Sequence, residues 1–329
     1  MDAKMNCSRT QNLSRTHERK TVMAISINPA QHGFMLSETL ATLLIWVGLV
    51  SGLALGQERR LTTDGRLKDS PTFVDRSGQE IAYVVQESPS LMRLMKWKLA
   101  ECISEPISPN LDKNEFEPAF SRDGSWLASV QSRGNLSMSL VIRHMATGKE
   151  VEIKPEGGFC GYRSPTFAAD GTRIVYSFAE EDRQSIVSVD REGRNKKRVV
   201  HGPGHSNWPN ITPDGEQLVF GSSRDGNYEI YASLPDGSSP RRLTDSPNQD
   251  VRPRVSPDGR RIAFTSARDG NFEIYVMRLD GTGLVRVTNN PERDDYPAWH
   301  PNSKQLVVVS ERAGKHDLYL VDCDDQGTP

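Results

Sequence analysis

The chain is poor in the residue patterns that carry chemistry. It contains no G-x-S-x-G elbow, no H-E-x-x-H pair and no phosphate-binding glycine loop, which removes the commonest hydrolase, metalloprotease and nucleotide-binding signatures. Only four cysteines are present, Cys7, Cys102, Cys160 and Cys323, at spacings that fit neither a zinc site nor an evident disulfide framework. They read as free or buried thiols, because a chain of 329 residues has core enough without disulfide staples. An excess of one charge is also missing: 41 Lys and Arg stand against 43 Asp and Glu. Near-neutrality supplies no global field to draw in nucleic acid or an anionic membrane surface, so nucleic acid is not an expected partner. The one local basic run, Arg191 to Arg198, falls at a predicted hairpin and reads as a solvated turn. Asp322, Asp324 and Gln326-Gly327 imitate the start of a calcium loop, but the bidentate glutamate that completes one does not follow. No metal or other cofactor is expected.

What the chain has instead is repetition. A turn built on Asp-Gly or a close relative, followed by an apolar strand, recurs six times: Gly78 in DRSGQEIAYVV, Gly124 in SRDGSWLASV, Gly171 in AADGTRIVYSF, Gly215 in TPDGEQLVFGS, Gly259 in SPDGRRIAFTS and Ser303 in HPNSKQLVVVS. Successive anchors lie 46, 47, 44, 44 and 44 residues apart. A period of about 40 to 50 residues, rich in short alternating strands, signals a propeller in which each repeat is one four-stranded blade. A single blade cannot bury both faces, so the repeats must pack around a common axis. The expected fold is all-β: a six-bladed β-propeller over residues 57–329, with a leader over residues 1–56.

Residues 251–288 show how one blade is written. A short strand around Arg254 and Val255 ends at Ser256-Pro257-Asp258-Gly259, where the proline presets φ and the glycine accepts a positive one. The next strand, Arg261 to Thr265, alternates Ile262 and Phe264 on one face with Ala263 and Thr265 on the other. Asp269-Gly270-Asn271 closes a hairpin into Glu273 to Met277, and Asp280-Gly281 leads to a fourth strand, Leu284 to Thr288. The hairpin phrase recurs as Asp225-Gly226-Asn227, and recurrence at one turn in two blades assigns it to structure rather than to carboxylate chemistry. The last repeat lacks a fourth strand after Asp317 to Val321, while residues 59–62 read Arg-Arg-Leu-Thr, identical to the fourth-strand phrase at 241–244. The N-terminal segment is therefore expected to complete the sixth blade and close the ring, removing two open sheet edges.

The near-copies RDGNYEIYAS and RDGNFEIYVM, each preceded by a Pro-Asp-Gly turn and an apolar strand, resemble the WD40-like (PD40) repeats of the TolB propeller family. The resemblance runs over roughly residues 58 to 325 and is strongest in the blades carrying Asp214, Asp258 and Pro297-Ala298-Trp299. It implies a binding role at the cell envelope, since in TolB the corresponding face receives an envelope lipoprotein. TolB also carries an α/β domain ahead of its propeller; this chain has no room for one, so roles that depend on it are not carried over. Related propellers act as polysaccharide lyases or as the gating domain of prolyl-oligopeptidase-type hydrolases. A lyase would need a His and metal-ligand cluster in the channel, for which only His205 is well placed, and the hydrolase version lacks a catalytic domain after Asp325.

Ahead of the ring, Thr39 to Gly56 carries no charge and follows a stretch with Lys4, Arg9, Arg15, Arg19 and Lys20, the pattern of an export signal or a membrane span. Ala54-Leu55-Gly56 fits signal-peptidase cleavage before Gln57. Gly33-Phe34-Met35-Leu36-Ser37-Glu38 instead resembles a prepilin signal cleaved after Gly33, which would leave residues 34–56 as a membrane tether. Both routes place the propeller outside the cytoplasm, in the periplasm or beyond.

The repeats disagree most at one position. The first strand of each blade lines the central channel, and the two residues before its proline are Asp69-Ser70, Phe116-Glu117, Arg163-Ser164, Asn207-Trp208, Val251-Arg252 and Asp295-Tyr296. His205, Asp250 and Asp294 extend the same rim. Irregular polar and aromatic side chains on a rigid, repeated scaffold are what a recognition surface needs. The candidate partner-binding residues are Phe116, Glu117, Arg163, His205, Asn207, Trp208, Asp250, Arg252, Asp295 and Tyr296, none of them assigned a catalytic role. A solvated funnel without a ligand is the alternative. The expected activity is non-enzymatic capture of an envelope protein or peptide by a monomeric, exported propeller. Expressed with its own leader, the protein should be recovered outside the cytoplasm, with N-terminal sequencing returning Gln57 or Phe34; intact chain in the cytosol would remove the export reading.

Overall fold

The computed structural model describes residues 58–109, 112–132, 137–155, 161–180 and 183–323. The leader with its two cleavage positions, Cys7, Cys160 and the calcium-like Asp324, Gln326 and Gly327 lie outside the described residues. Six four-stranded antiparallel sheets follow one another along the chain. Their innermost strands are Lys68–Phe73, Asn114–Phe120, Tyr162–Phe167, Ser206–Ile211, Asp250–Val255 and Asp294–Trp299. Each innermost strand touches those of its two neighbours, and the sixth touches the first, so the blades close a ring around a central channel.

The period-two alternation decides where the core sits. Ile262 and Phe264 face the fourth blade, packing with Val219 and Ile230, while Ala263 on the opposite face packs with Leu306 and Val308 of the sixth. Six apolar clusters form in this way, one at each blade-to-blade interface. With each fully buried Val, Leu, Ile or Phe stabilising by about 1.5–3 kcal/mol, these interfaces are the main support of the ring. The smallest core, Val84, Leu94 and Leu127 between the first two blades, is supplemented by buried Glu115, which accepts from Leu94 N at 3.2 Å and Ser108 Oγ at 2.9 Å.

The outermost strands are shorter than the alternation predicts. In the fifth blade only Val285–Arg286 pairs, not Leu284 to Thr288. The hydroxyl of Thr288 ends the ladder by accepting from Ile274 N at 2.9 Å and donating to Glu273 Oε2 at 2.6 Å. Arg286 completes the arrangement, with Nε on Thr288 O at 2.7 Å and Nη2 on Glu273 Oε1 at 2.9 Å. Glu229, Arg242 and Thr244 repeat the same latch in the fourth blade.

The closing strand reuses it. Glu58–Arg60 pairs antiparallel with Tyr319 to Val321 and supplies the fourth strand of the sixth blade. Arg60 Nη2 donates to Asp317 Oδ2 at 2.5 Å, Thr62 Oγ1 donates to Asp317 Oδ1 at 2.7 Å, and Leu318 N donates to Thr62 Oγ1 at 3.0 Å. The Arg-x-Thr match at 59–62 thus reflects an identical set of side-chain bonds. Asp317 is also approached by the fully buried ammonium of Lys68 in the first blade, at 3.4 Å. Lys68 keeps Asp64 as its closer partner, so what Asp317 alone supplies is the anchoring of Arg60 and Thr62, and each of those side-chain bonds lost costs about 1–3 kcal/mol. Asp317→Ala should therefore lower the melting temperature by about 10 °C, and deletion of residues 57–63 by more, because strand pairing and the Leu61 contacts are lost as well. A deletion variant that melts within a degree or two of the parent would refute closure as a source of stability.

Candidate functional site

Every innermost strand bulges at its proline. In the fifth blade Val251 pairs with Thr265 and Arg254 with Ala263, so Arg252 and Pro253 together oppose Phe264 alone. The same register slip occurs in the other five blades. A bulge must absorb an extra residue, and a residue before proline is disfavoured in the right-handed helical region. Ser70, Glu117, Ser164, Trp208, Arg252 and Tyr296 accordingly adopt left-handed backbone, with φ of 48°, 49°, 51°, 54°, 55° and 56°. None is glycine, and the conformation costs each about 1–2 kcal/mol. The bulge re-aims these side chains out of the sheet, and contacts between different blades result.

Three of them form one arc. The guanidinium of Arg252 lies 4.3 Å from the ring centroid of Tyr296 and 5.5 Å from that of Trp208, so it is held between aromatic rings from both adjacent blades. Its Nη2 donates to Tyr296 Oη at 3.3 Å, and its Nη1 stands 3.3 Å from Asp295 Oδ2. The Trp208 indole occupies space that Gly221 leaves open: a Cβ there would come within 2.8 Å of the ring. On the other side of the mouth Arg163 Nε donates to Glu117 Oε1 at 3.0 Å, and Ser164 N donates to Glu117 Oε2 at 2.7 Å. Phe116 is half-buried beside this pair.

The remaining candidates sit differently. Asp250 and Asp294 do not open on the rim; both are fully buried between blades, two positions ahead of the left-handed residue and on the packing side of the strand. Asp295 and Asn207 are also buried and act as supports, Asp295 accepting from Thr265 Oγ1 at 2.8 Å and Asn207 Oδ1 from Trp208 N at 2.9 Å. His205 is exposed on the preceding loop, its backbone N donating to Ser223 Oγ at 3.0 Å. Among the described residues no three His, Cys, Asp or Glu side chains are grouped to hold a metal ion.

Four further residues take part that are not among the candidate binding residues, one of them, Asp69, named above as a rim position. Tyr228, the residue after the Arg-Asp-Gly-Asn turn, packs on Trp208 at 5.1 Å, and its counterpart Phe272 lies under Arg293 at 4.7 Å. Their shared position in two near-identical phrases was the available signal. Asp69 and Arg254 are the others, and both carry charge into the channel without an ion pair among the described residues. Burial raises the Asp69 carboxyl to about 6, with the nearby charge of Glu117 adding to the effect and Ser70, Arg163 and Arg252 opposing it.

Fold and mouth together define a class: a closed six-bladed propeller with a bulged, aromatic and ionic channel entrance. The model of the TolB beta propeller domain family matches residues 79–255, more than half the chain, and the chain belongs to that family. The model of the tricorn protease N-terminal beta propeller domain matches residues 233–328. Among solved structures, a putative TolB from Agrobacterium tumefaciens is similar with a TM-score of 0.60 at 20% identity, over 80% of this chain and 92% of that one. TolB from Acinetobacter baumannii gives 0.62 at 20% identity, over 76% of this chain and 64% of that one. An oligogalacturonate lyase in complex with manganese gives 0.54 at 14% identity, over 82% and 94%. At these identities the likeness is one of fold. Comparison with curated protein sequences gave no match.

Asp294 provides a test of the charges behind the mouth. In the fifth blade Arg268 bonds Ser266 Oγ at 2.9 Å and Asp250 Oδ2 at 2.7 Å. In the sixth, Arg312 bonds Ser310 Oγ at 3.0 Å but turns its other arm to Glu58 of the closing strand at 2.6 Å. Asp294 is left without a cation, one oxygen unbonded, and burial raises its carboxyl from an ordinary 3.8 to about 6. The folded protein then holds this proton to higher pH than the unfolded chain, so stability falls as pH rises from about 4 to 6 and the loss is complete above that range. Asp294→Asn should raise unfolding free energy by about 1–3 kcal/mol at pH 7.5 and change it little at pH 4. Denaturant melts at the two pH values measure this.

Proposed function

We propose that the protein is an exported, non-enzymatic scaffold of the cell envelope that captures a protein or peptide at its channel mouth. In this reading residues 1–56 direct or tether the chain, residues 57–329 form the propeller, and the protein works as a monomer. The observation that carries the reading is the Trp208–Arg252–Tyr296 arc, in which a guanidinium is clamped between two rings at the entrance of a rigid channel. Aromatic and arginine side chains on a preorganised backbone are the residues in which binding energy concentrates, because they offer large area at low entropic cost. Membership of the TolB family supports an envelope protein as the partner class, and the uncharged run ahead of the ring supports a place outside the cytoplasm.

The Arg-Asp-Gly-Asn turns on the same face are assigned to structure. Asn227 Nδ2 donates to Ser246 O and Asn248 O, both at 2.9 Å, and Asn271 Nδ2 donates to Asn290 O and Glu292 O, both at 2.8 Å. Asp225 and Asp269 accept from the hydroxyls of Tyr231 and Tyr275.

Combined Trp208→Ala, Arg252→Ala and Tyr296→Ala should weaken capture by about 2 kcal/mol or more in affinity measurements against envelope extract. The ring should stay folded, because Asp295 keeps Arg293 as a counter-ion when Arg252 is removed. Asp225→Ala and Asp269→Ala should instead lower the melting temperature and leave capture per folded molecule unchanged. A folded triple variant that binds as the parent does would overturn the channel-mouth reading.

A further inference from the structure

Below the arc, the innermost strands present one residue after each proline: Thr72, Ala119, Thr166, Asn210, Arg254 and Ala298. Five are small or short, and the sixth is a long cation. Arg254 is half-buried, and its side chain makes one hydrogen bond, from Nη1 to Pro253 O at 3.5 Å. The other channel arginines are differently placed: Arg163 is paired with Glu117, and Arg252 with Asp295. The charges that Arg254 feels are Glu117, from the blade diametrically opposite, and Arg252 of its own strand, so its guanidinium reaches toward the channel, whereas Ala119 packs into the core between the second and third blades and Asn210 Oδ1 accepts from Val255 N at 2.8 Å. Loss of hydration holds its proton affinity down, at about 10. A cation desolvated without a counter-ion is a cost the fold need not bear, since alanine or threonine serves at the same register in four other blades.

Resting on the reading of the mouth as a protein-binding site, we infer that Arg254 receives a carboxylate that the partner carries into the channel, the side chain of an Asp or Glu on a loop seated against Trp208, Arg252 and Tyr296. A side chain is favoured over a chain terminus because Arg254 lies only two residues below Arg252 in the same strand, within reach of a loop that rests on the mouth. A charged hydrogen bond in a desolvated channel favours a two-oxygen acceptor that a guanidinium can grip with two donors. Asp69, which shares Glu117 and Arg252 with Arg254 as neighbouring charges, would oppose this ligand as a like charge.

The test uses a phage library of random, disulfide-closed peptide loops, with no free chain terminus at the insert, panned on the purified full-length protein. Selected loops should be enriched in Asp or Glu at one position, bind Arg254→Gln about thirtyfold or more weakly, and bind Asp69→Asn more tightly. In the absence of peptide, Arg254→Met should melt about 2 °C or more above the parent, since an uncompensated charge has been removed. Loops without acidic enrichment, bound equally by Arg254→Gln yet lost in the Trp208/Arg252/Tyr296 variant, would overturn this inference and leave the mouth reading standing. Selection only of linear peptides through a free C-terminal carboxylate would overturn the side-chain source. A lower melting temperature in Arg254→Met would reassign the arginine to structure. No selected peptide in either format would overturn the mouth reading and this inference together.

Discussion

Closure of the ring, on which the mouth depends, is centred on Asp317. Its two oxygens hold Arg60 and Thr62 of the closing segment, and Lys68 of the first blade, so one carboxylate joins both ends of the ring. Closure also completes the cluster in which Leu61 and Trp97 pack against Val307, Val309 and Leu318, an interface that exists only if the first and last blades meet. An open ring would expose that face and two strand edges together. The positions of mouth residues contributed by the sixth and first blades rest on the same contact.

The latch is the same device in three blades, but its neighbours differ. Glu229 meets Asp250 of the next blade and Glu273 meets Asp294; burial, with these like charges added, raises the two aspartates' proton affinity, against hydrogen bonds from Ser266, Ser310 and Asn290 and the charge of Arg268, which lower it. At the closing junction Asp317 meets Lys68 instead. Buried ion pairs are weak contributors to net stability, because desolvation offsets much of their attraction. Their value here is positional: of these three junctions, the one that joins distant parts of the chain is the one with opposite charges.

The mouth is where local rules are broken. Six non-glycine residues hold left-handed backbone, a glycine stands in the middle of a strand to admit an indole, and an aspartate and an arginine enter the channel without counter-ions. Turns and latches elsewhere obey ordinary chemistry: Asp123 bonds Ser121 and Ser125, and its relatives at the other Asp-Gly turns do likewise, which holds the Asp123 carboxyl down at about 2. Six strained residues and two uncompensated charges gathered at one end of one channel are expected where a scaffold gives up stability for recognition.

Sequence alone determined the six blades, their strand order and the ring closure. Each follows from local physics: Pro-Asp-Gly and Asp-Gly-Asn dictate turns, alternation of Ile262 and Phe264 with Ala263 dictates faces, and Arg-Arg-Leu-Thr at 59–62 names its own partner by repeating 241–244. The rim was legible as a set of positions, because the proline that marks each bulge is visible in the sequence. Which of those side chains share space was decided only by tertiary structure. Asp250 stands three residues before its proline and Asp295 two before its own, so strand alternation seals one between blades while the other supports Arg252. Arg254 and Asp69 were invisible as unpaired charges for a related reason: pairing depends on which side chains five other blades place across the channel, a distance set by the ring and not by the spacing of residues along the chain.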